Sequence, residues 1–517
     1  MNASPDIDSS PRRFAWLFAS LVAGCAGGCG TPVPDANSPV TGPEAAAIET
    51  FCARCHEAPD PAYFARGRWV EEVYRGLRFH EASRDRDVIV PPHTRIIKFF
   101  QDRAPEKLPA PEPLALVENA TPRFRRHTAS APPPLENPTI GHLAWEPVGP
   151  EGSRRLVTCD ILSGNVSVWE PDRWSETVVG NVPFAVHAEY QDLDGDGRRD
   201  FVVSSLGTFA PADVRTGEVR FLRHREDGSF ESIPLADEFG RVCQTRVADF
   251  DADGLADLLV VVFGWQKTGN LVLMTRVPGT SDNMKFLRSE IDARHGAILA
   301  DPTDWNGDGR LDFVTLFGQE HECVEVFLNQ GRANFSSKPI GKRADPAFGS
   351  NGAARCDLDG DGDDDFVLSN GDMFDSFQIK PYHGIRWLEN RGDGTFLEHS
   401  LVKFPGVHGV STGDLDGDGD LDLAAAACFP YRAYESAGVD ERAKFVSALW
   451  LEQTSPGRFS PHVVETGSPF HAASTLADID GDGDLDFVCG LFGTKAIRER
   501  PPFVVFENLS TGSRTGE

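Results

Sequence analysis

The sequence predicts an all-β propeller of seven four-stranded blades with cation-binding loops, preceded by a small all-α segment. Three observations carry this. An Asp/Gly-rich nonapeptide recurs six times at near-constant spacing; each copy runs into the same succession of strand-like stretches; and the last unit lacks one strand that an earlier segment matches. A period of this length means an array or a ring of like units.

The copies are "DLDGDGRRD" from Asp192, "DFDADGLAD" from Asp249, "DWNGDGRLD" from Asp304, "DLDGDGDDD" from Asp357, "DLDGDGDLD" from Asp414 and "DIDGDGDLD" from Asp478. They begin 57, 55, 53, 57 and 64 residues apart. Oxygen donors recur at positions one, three, five and nine. They are Asp192, Asp194, Asp196 and Asp200, then Asp249, Asp251, Asp253 and Asp257, then Asp304, Asn306, Asp308 and Asp312. The second half of the chain supplies Asp357, Asp359, Asp361 and Asp365, then Asp414, Asp416, Asp418 and Asp422, then Asp478, Asp480, Asp482 and Asp486. Hard oxygen ligands around a glycine-permitted turn at position six suit calcium. An EF-hand opens the same way but needs a bidentate glutamate at position twelve and flanking helices. Position twelve here is Val203, Val260, Thr315, Leu368, Ala425 and Cys489, and the flanks are strand-like, so EF-hands are excluded.

The net charge is −29, and six divalent ions would offset 12 of those charges. The acidity speaks against a nucleic-acid or anionic-membrane partner, both being polyanions.

After each loop come an apolar strand, a second such strand, a glycine turn and a fourth strand. Examples are "VEVFLNQGRANF" (324–335), "IRWLENRGDGTF" (385–396) and "ALWLEQTSPGRF" (448–459). "RRLVTCDILSGNVSVWEP" (154–171) has the middle strands of such a unit without the loop, which makes seven. The last unit ends on its third strand, "FVVFENLS" (503–510). "PRFRRHTAS" (122–130) resembles "GRFSPHVVE" (457–465) and is expected to supply the missing strand, closing the ring.

With the loops and the Phe-Gly pairs at 263–264, 317–318 and 492–493, the region from about 140 to 510 resembles bacterial FG-GAP/VCBS repeat propellers. Their loop design is related to that of the integrin α-chain head. Some exported members carry a small c-type cytochrome segment ahead of the propeller. The resemblance implies an architecture rather than a reaction.

Ahead of the repeats stands "FCARCHE" (51–57), a C-x-x-C-H sequence. It is the c-type haem attachment pattern, with Cys52 and Cys55 as thioether sites and His56 as the iron ligand. A zinc site would need a second ligand pair nearby, and a thioredoxin-like pair would need a βαβ context; neither is present. Three helices are expected in a cytochrome-like segment, 41–104. One starts at Thr41 as N-cap; one carries Trp69 and Val73 on a face and ends at Gly76; one carries Ile96, Ile97 and Phe100 and stops before Pro105. No methionine lies between residues 2 and 273, so the sixth iron ligand is expected to be His80, with His93 as the alternative and five-coordinate iron open. Residues 105–140 read as a proline-rich connector containing the closing strand, and 141–510 as the propeller.

The N-terminus reads as a lipoprotein-type signal peptide, residues 1–24. Arg12 and Arg13 precede an apolar run too short to span a bilayer, and "LVAGC" resembles a lipobox that places lipidation on Cys25. An exported, membrane-anchored, periplasmic or cell-envelope location follows as an expectation. Ten cysteines are too few for a disulfide framework in 517 residues.

The loops join first and second strands, so they share one face of the propeller. The other face receives His142, His187, His295, His408 and His471, together with 319–322, 370–372 and 380–384. His321 and His383 are the candidates there for a polar ligand site or docking surface. No nucleotide loop, G-x-S-x-G or H-E-x-x-H occurs. The expected function is therefore electron transfer by an exported haem c protein, exchanging electrons with a redox protein or small-molecule donor. One alternative is a periplasmic oxidoreductase passing electrons from a small polar molecule to the haem; the other is an adhesion or ligand-binding propeller.

Overall fold

A computed structural model describes residues 38–54, 56–82, 87–112, 114, 124–127, 137–279, 284–341, 344–436, 438–493 and 501–510. The signal peptide, Cys25, Cys55 and most of 115–136 lie outside the described residues. Val40–Glu517 forms one compact unit that holds both the helices and the propeller.

Among the described residues, the strands form seven four-stranded antiparallel sheets. Blades 1 to 6 cover 140–181, 185–239, 242–292, 297–340, 350–403 and 407–466. Blade 7 takes three strands from 471–508 and its outermost from Phe124–Arg126. Phe124 pairs with Asn508 and Arg126 with Phe506, so the expected closing strand is in place. The proposed likeness between 122–130 and 457–465 marked equivalent outer strands of blades 7 and 6.

The second strand of every looped blade is buried at all six positions, as in Asp257–Val262 and Asp422–Ala427. It lies inside its sheet and is covered on both faces by neighbouring blades, which is why its sequence reads as an apolar run and does not alternate. Each innermost strand carries a bulge at its second residue. Seven equivalent bulges around the channel increase the local twist of each strand.

The helical segment comprises α1 (Gly42–Cys52), α2 (Trp69–Ala82) and α3 (His93–Arg103). Trp69 stacks on Phe100 with centroids 4.0 Å apart, and Ile48, Phe64, Val73, Ile96 and Phe99 complete a small core. Glu44 on α1 accepts two bonds of 2.7 Å from Arg95 on α3. Two local expectations are corrected. Thr41 occupies the N-cap position, but its side chain makes no capping bond. α2 does not stop at Gly76; it continues to Ala82, because Leu77 joins the core and Phe79 stacks on a propeller histidine. Tertiary burial there outweighs the roughly 1 kcal/mol cost of a helical glycine.

This helical cap sits on the propeller face opposite the Asp loops. Tyr63 stacks on Tyr382, and the Tyr382 hydroxyl donates to the Tyr63 carbonyl at 3.0 Å. The Asp60 amide donates to Asp345 at 2.7 Å, and Arg75 pairs with Asp375. Beyond α3 the connector runs past blade 5, where Glu112 meets Lys403 at 3.4 Å and Leu114 packs on the core of blades 5 and 6.

Candidate functional site

The six Asp loops sit where expected, between first and second strands, and each is organised by its own carboxylates. In the first, Asp192 accepts the Gly195 and Gly197 amides at 2.8 and 2.9 Å. Position nine opens the second strand and acts as a clamp. One oxygen of Asp200 accepts the Leu193 amide at 3.2 Å, and the other accepts the His224 amide at 2.8 Å at the end of the third strand. Asp257, Asp312, Asp365, Asp422 and Asp486 repeat both bonds. Position six is a glycine with φ between 82° and 101° in all six loops, a region that only glycine enters at no cost.

Several loops bring their carboxylates together. Asp192, Asp194 and Asp200 each place an oxygen within 4.8 Å of the others, as do Asp249, Asp251 and Asp257; Asp357, Asp359 and Asp361; and Asp414, Asp416 and Asp422. Calcium–oxygen bonds of 2.3–2.6 Å fit such a cluster. Buried Asp359 Oδ1 and Asp482 Oδ2 have no hydrogen-bond donor among the described residues, which fits a cation taking that role. Burial pushes the position-nine carboxyls up, to about 6 for Asp200, Asp257 and Asp365 and to about 7 for Asp422 and Asp486. Two loops carry a competing cation of their own: Arg198 pairs with Asp196, and Arg310 with Asp308.

A set of residues that the loop pattern did not single out stitches the blades together. Asn329 donates through its side-chain amide to the Phe250 carbonyl of the preceding blade at 2.8 Å. Gln453 does the same to Leu358 at 3.0 Å, and Asn508 to Leu415 at 2.8 Å. Arg276 reaches the Leu193 carbonyl at 2.6 Å. The signal was present, since the third strands "VEVFLN" and "FVVFEN" end on asparagine at the same offset.

On the opposite face, a cavity of about 420 Å³ opens between cap and propeller. Cys52, Tyr63, Phe99, Phe100 and Arg103 line it from the cap, and Asp345 and Phe348 from the propeller. Burial, with Glu49 adding to it, pushes the Cys52 thiol up to about 12. A thiol so raised is a poor zinc ligand or redox nucleophile. His56 Nδ1 lies 2.6 Å from the Glu57 carbonyl, which can only accept, so Nδ1 is the donor of that bond. His80, in the last turn of α2, packs edge-on against Phe51 with centroids 5.2 Å apart, beside Cys52 in sequence. His93 stands at the start of α3 near Tyr74.

The histidines of this face divide into separate groups. His321 meets His295 and Glu320. His383 is fully buried beside Tyr382, and burial with nearby Lys380 holds its pKa well below the usual range. Lys380, also buried, donates to the Ala347 and Asp372 carbonyls at 3.2 and 3.3 Å. Burial alone would raise Asp375, but Lys380 and Arg75 hold it well below the carboxylate range. His142 and His187 sit within innermost strands, with centroids 4.7 Å apart. His471 bonds Glu465 at 2.8 Å.

Residues 192–260, 304–368 and 357–425 match the FG-GAP-like repeat family. Comparison with curated proteins returned no match. The matched segments cover five of the six Asp loops, and the equivalent loop in blade 7 shares their spacing and clamp. The chain is thus a seven-bladed β-propeller carrying FG-GAP-like repeats.

Proposed function

We propose that the chain is a ligand-binding propeller whose ligand enters the cavity between cap and propeller. FG-GAP-like repeats favour a ligand-binding or adhesion role over the electron-transfer role expected at first. The observation carrying the reading is the cavity itself, of a size common for small-molecule sites and walled by aromatic rings with one cation and several carboxylates. The Asp loops on the other face take calcium in this reading and hold the blades in register, through positions one, three, five and nine. A thermal-shift screen of small polar molecules on the purified chain tests it. Hits should stabilise the wild type and lose their effect in Phe348→Ala; hits that survive in the variant, or none at all, count against the cavity.

A second reading keeps the expected haem c, because Cys52 of the C-x-x-C-H sequence lines that same cavity. Cys52 and Cys55 would hold the group covalently, His56 would present Nε2 to the iron, and Tyr63, Phe99, Phe100 and Phe348 would exclude water from its edge. His80 is the candidate sixth ligand. The group would supply one-electron redox chemistry, exchanged with a redox protein or small-molecule donor. Export through residues 1–24 and anchoring at Cys25 belong to this reading, since such haem is attached outside the cytoplasm. Denaturing gels stained for haem should show a band that Cys55→Ala abolishes. No band from cells competent in haem attachment ends this reading and leaves the first intact.

A further inference from the structure

We propose that His295, Glu320 and His321 form a binding site for a divalent first-row transition metal such as zinc, separate from the Asp loops and from the cap cavity. The three residues come from two connections on the face opposite the Asp loops. His295 lies between blades 3 and 4, and Glu320 and His321 lie between the second and third strands of blade 4. The Gly318 amide donates to the Gly296 carbonyl at 2.8 Å, which fastens the two connections side by side. Gln319 and Glu322 both have positive φ, at 57° and 37°, an uncommon conformation for side chains of this size. The backbone is thus bent sharply on both sides of the Glu320–His321 pair, and strain of this kind concentrates at functional sites.

One ligand atom from each residue lies within 4.8 Å of the other two. Glu320 Oε1 is in contact with His295 Nε2 and stands 3.7 Å from His321 Nε2. Tetrahedral zinc with bonds of 2.0–2.1 Å spaces its ligands about 3.3 Å apart, so small side-chain rotations close the set around a metal. Glu320 Oε2 is buried and has no hydrogen-bond donor among the described residues. Two imidazoles and one carboxylate are a borderline set that prefers zinc or another first-row metal to calcium. The side chains are 11–14% exposed, enough for a metal to enter and for water or a ligand to fill the remaining positions. Phe79 of α2 stacks on the His295 ring at 5.5 Å, which orients the imidazole from the cap side.

Equilibrium dialysis of the full chain against zinc, in excess calcium to fill the Asp loops, tests the site. The wild type should hold one more zinc per chain than the double variant His295→Ala/His321→Ala. Glu320→Gln, which preserves shape and volume, should weaken that binding by about 10- to 100-fold. The variants should melt as the wild type does in calcium without zinc. Should the double variant fail to fold, Glu320→Gln decides. Equal zinc uptake by wild type and Glu320→Gln overturns the assignment.

Discussion

Tyr63 of the helical cap lies flat on Tyr382 of blade 5, with ring centroids 4.0 Å apart and planes inclined by 26°. The two residues are separated by most of the propeller in sequence, and their stack, with the Tyr382 hydroxyl on the Tyr63 carbonyl, pins the cap to the blade. Stacked aromatic pairs contribute about 0.5–1.5 kcal/mol beyond their burial. Tyr382→Ala should therefore loosen the cap without opening the ring. Hydrogen exchange should quicken in 40–104 and stay unchanged in the second strands of the blades. Unchanged exchange in the cap would mean that Arg75–Asp375 and the shared core suffice to hold it.

The blade stitches should matter more for the ring. Asn508 is fully buried and donates to Leu415 at 2.8 Å and Leu485 at 3.2 Å, spanning blades 6 and 7 at the closure. Asn508→Ala strands buried carbonyls and should cost about 1–3 kcal/mol. Asn390→Ala, whose amide among the described residues reaches only the Asp364 carbonyl of its own blade at 3.3 Å, should cost less. Denaturant midpoints of the two variants make the comparison; a smaller loss for Asn508→Ala would refute the stitch.

Calcium should raise the melting temperature, because a cation bound only by the folded chain adds its binding free energy to folding. A chelator should lower it, and a melting curve indifferent to both would show the loops to be hydrated turns. One loop also carries removable strain. Position four is glycine in five loops, with φ from 69° to 80°, but Ala252 in the other at 61°. The equivalent glycines have open space where a Cβ would sit, so the cost at Ala252 lies in the backbone. Ala252→Gly should stabilise the chain by roughly 0.5 kcal/mol, the left-handed penalty of alanine less the chain entropy of glycine.

The channel histidines set an acid limit. Burial pushes His142 down to about 4 from an ordinary 6.5, and burial with His142 nearby holds His187 well below its own. Between those values the unfolded chain takes up protons that the folded chain refuses, so stability falls as pH drops from about 6.5 towards 4. A full shift of this size at His142 corresponds to about 3 kcal/mol. Urea unfolding in saturating calcium should show this decline, and His142→Gln should flatten it; an unchanged slope would place the acid sensitivity elsewhere.

The blade count, the place of the six loops and the closing strand at Phe124 were all readable from residue order. Each rests on a local rule repeated many times: oxygen spacing, an apolar run, a glycine turn. Repetition makes such a rule legible, because seven units must meet the same packing demand. The end of α2 was not legible. Gly76 looks like a terminus locally, and the helix continues only because Leu77 and Phe79 find partners far along the chain.

The same divide separates the two faces. Spacing within a nonapeptide places its oxygens around one point, so the Asp-loop face could be written down from the sequence. The other face gathers side chains from connections of unrelated length and from the cap. His295 reaches Glu320 and His321 only because the first two strands of blade 4 pair, with the Gly318 amide on the Gly296 carbonyl at their end. Cys52 comes to share a cavity with Phe348 only because the cap docks where it does. Contacts between residues distant in the chain depend on how rigid units pack, and no short-range pattern encodes that distance.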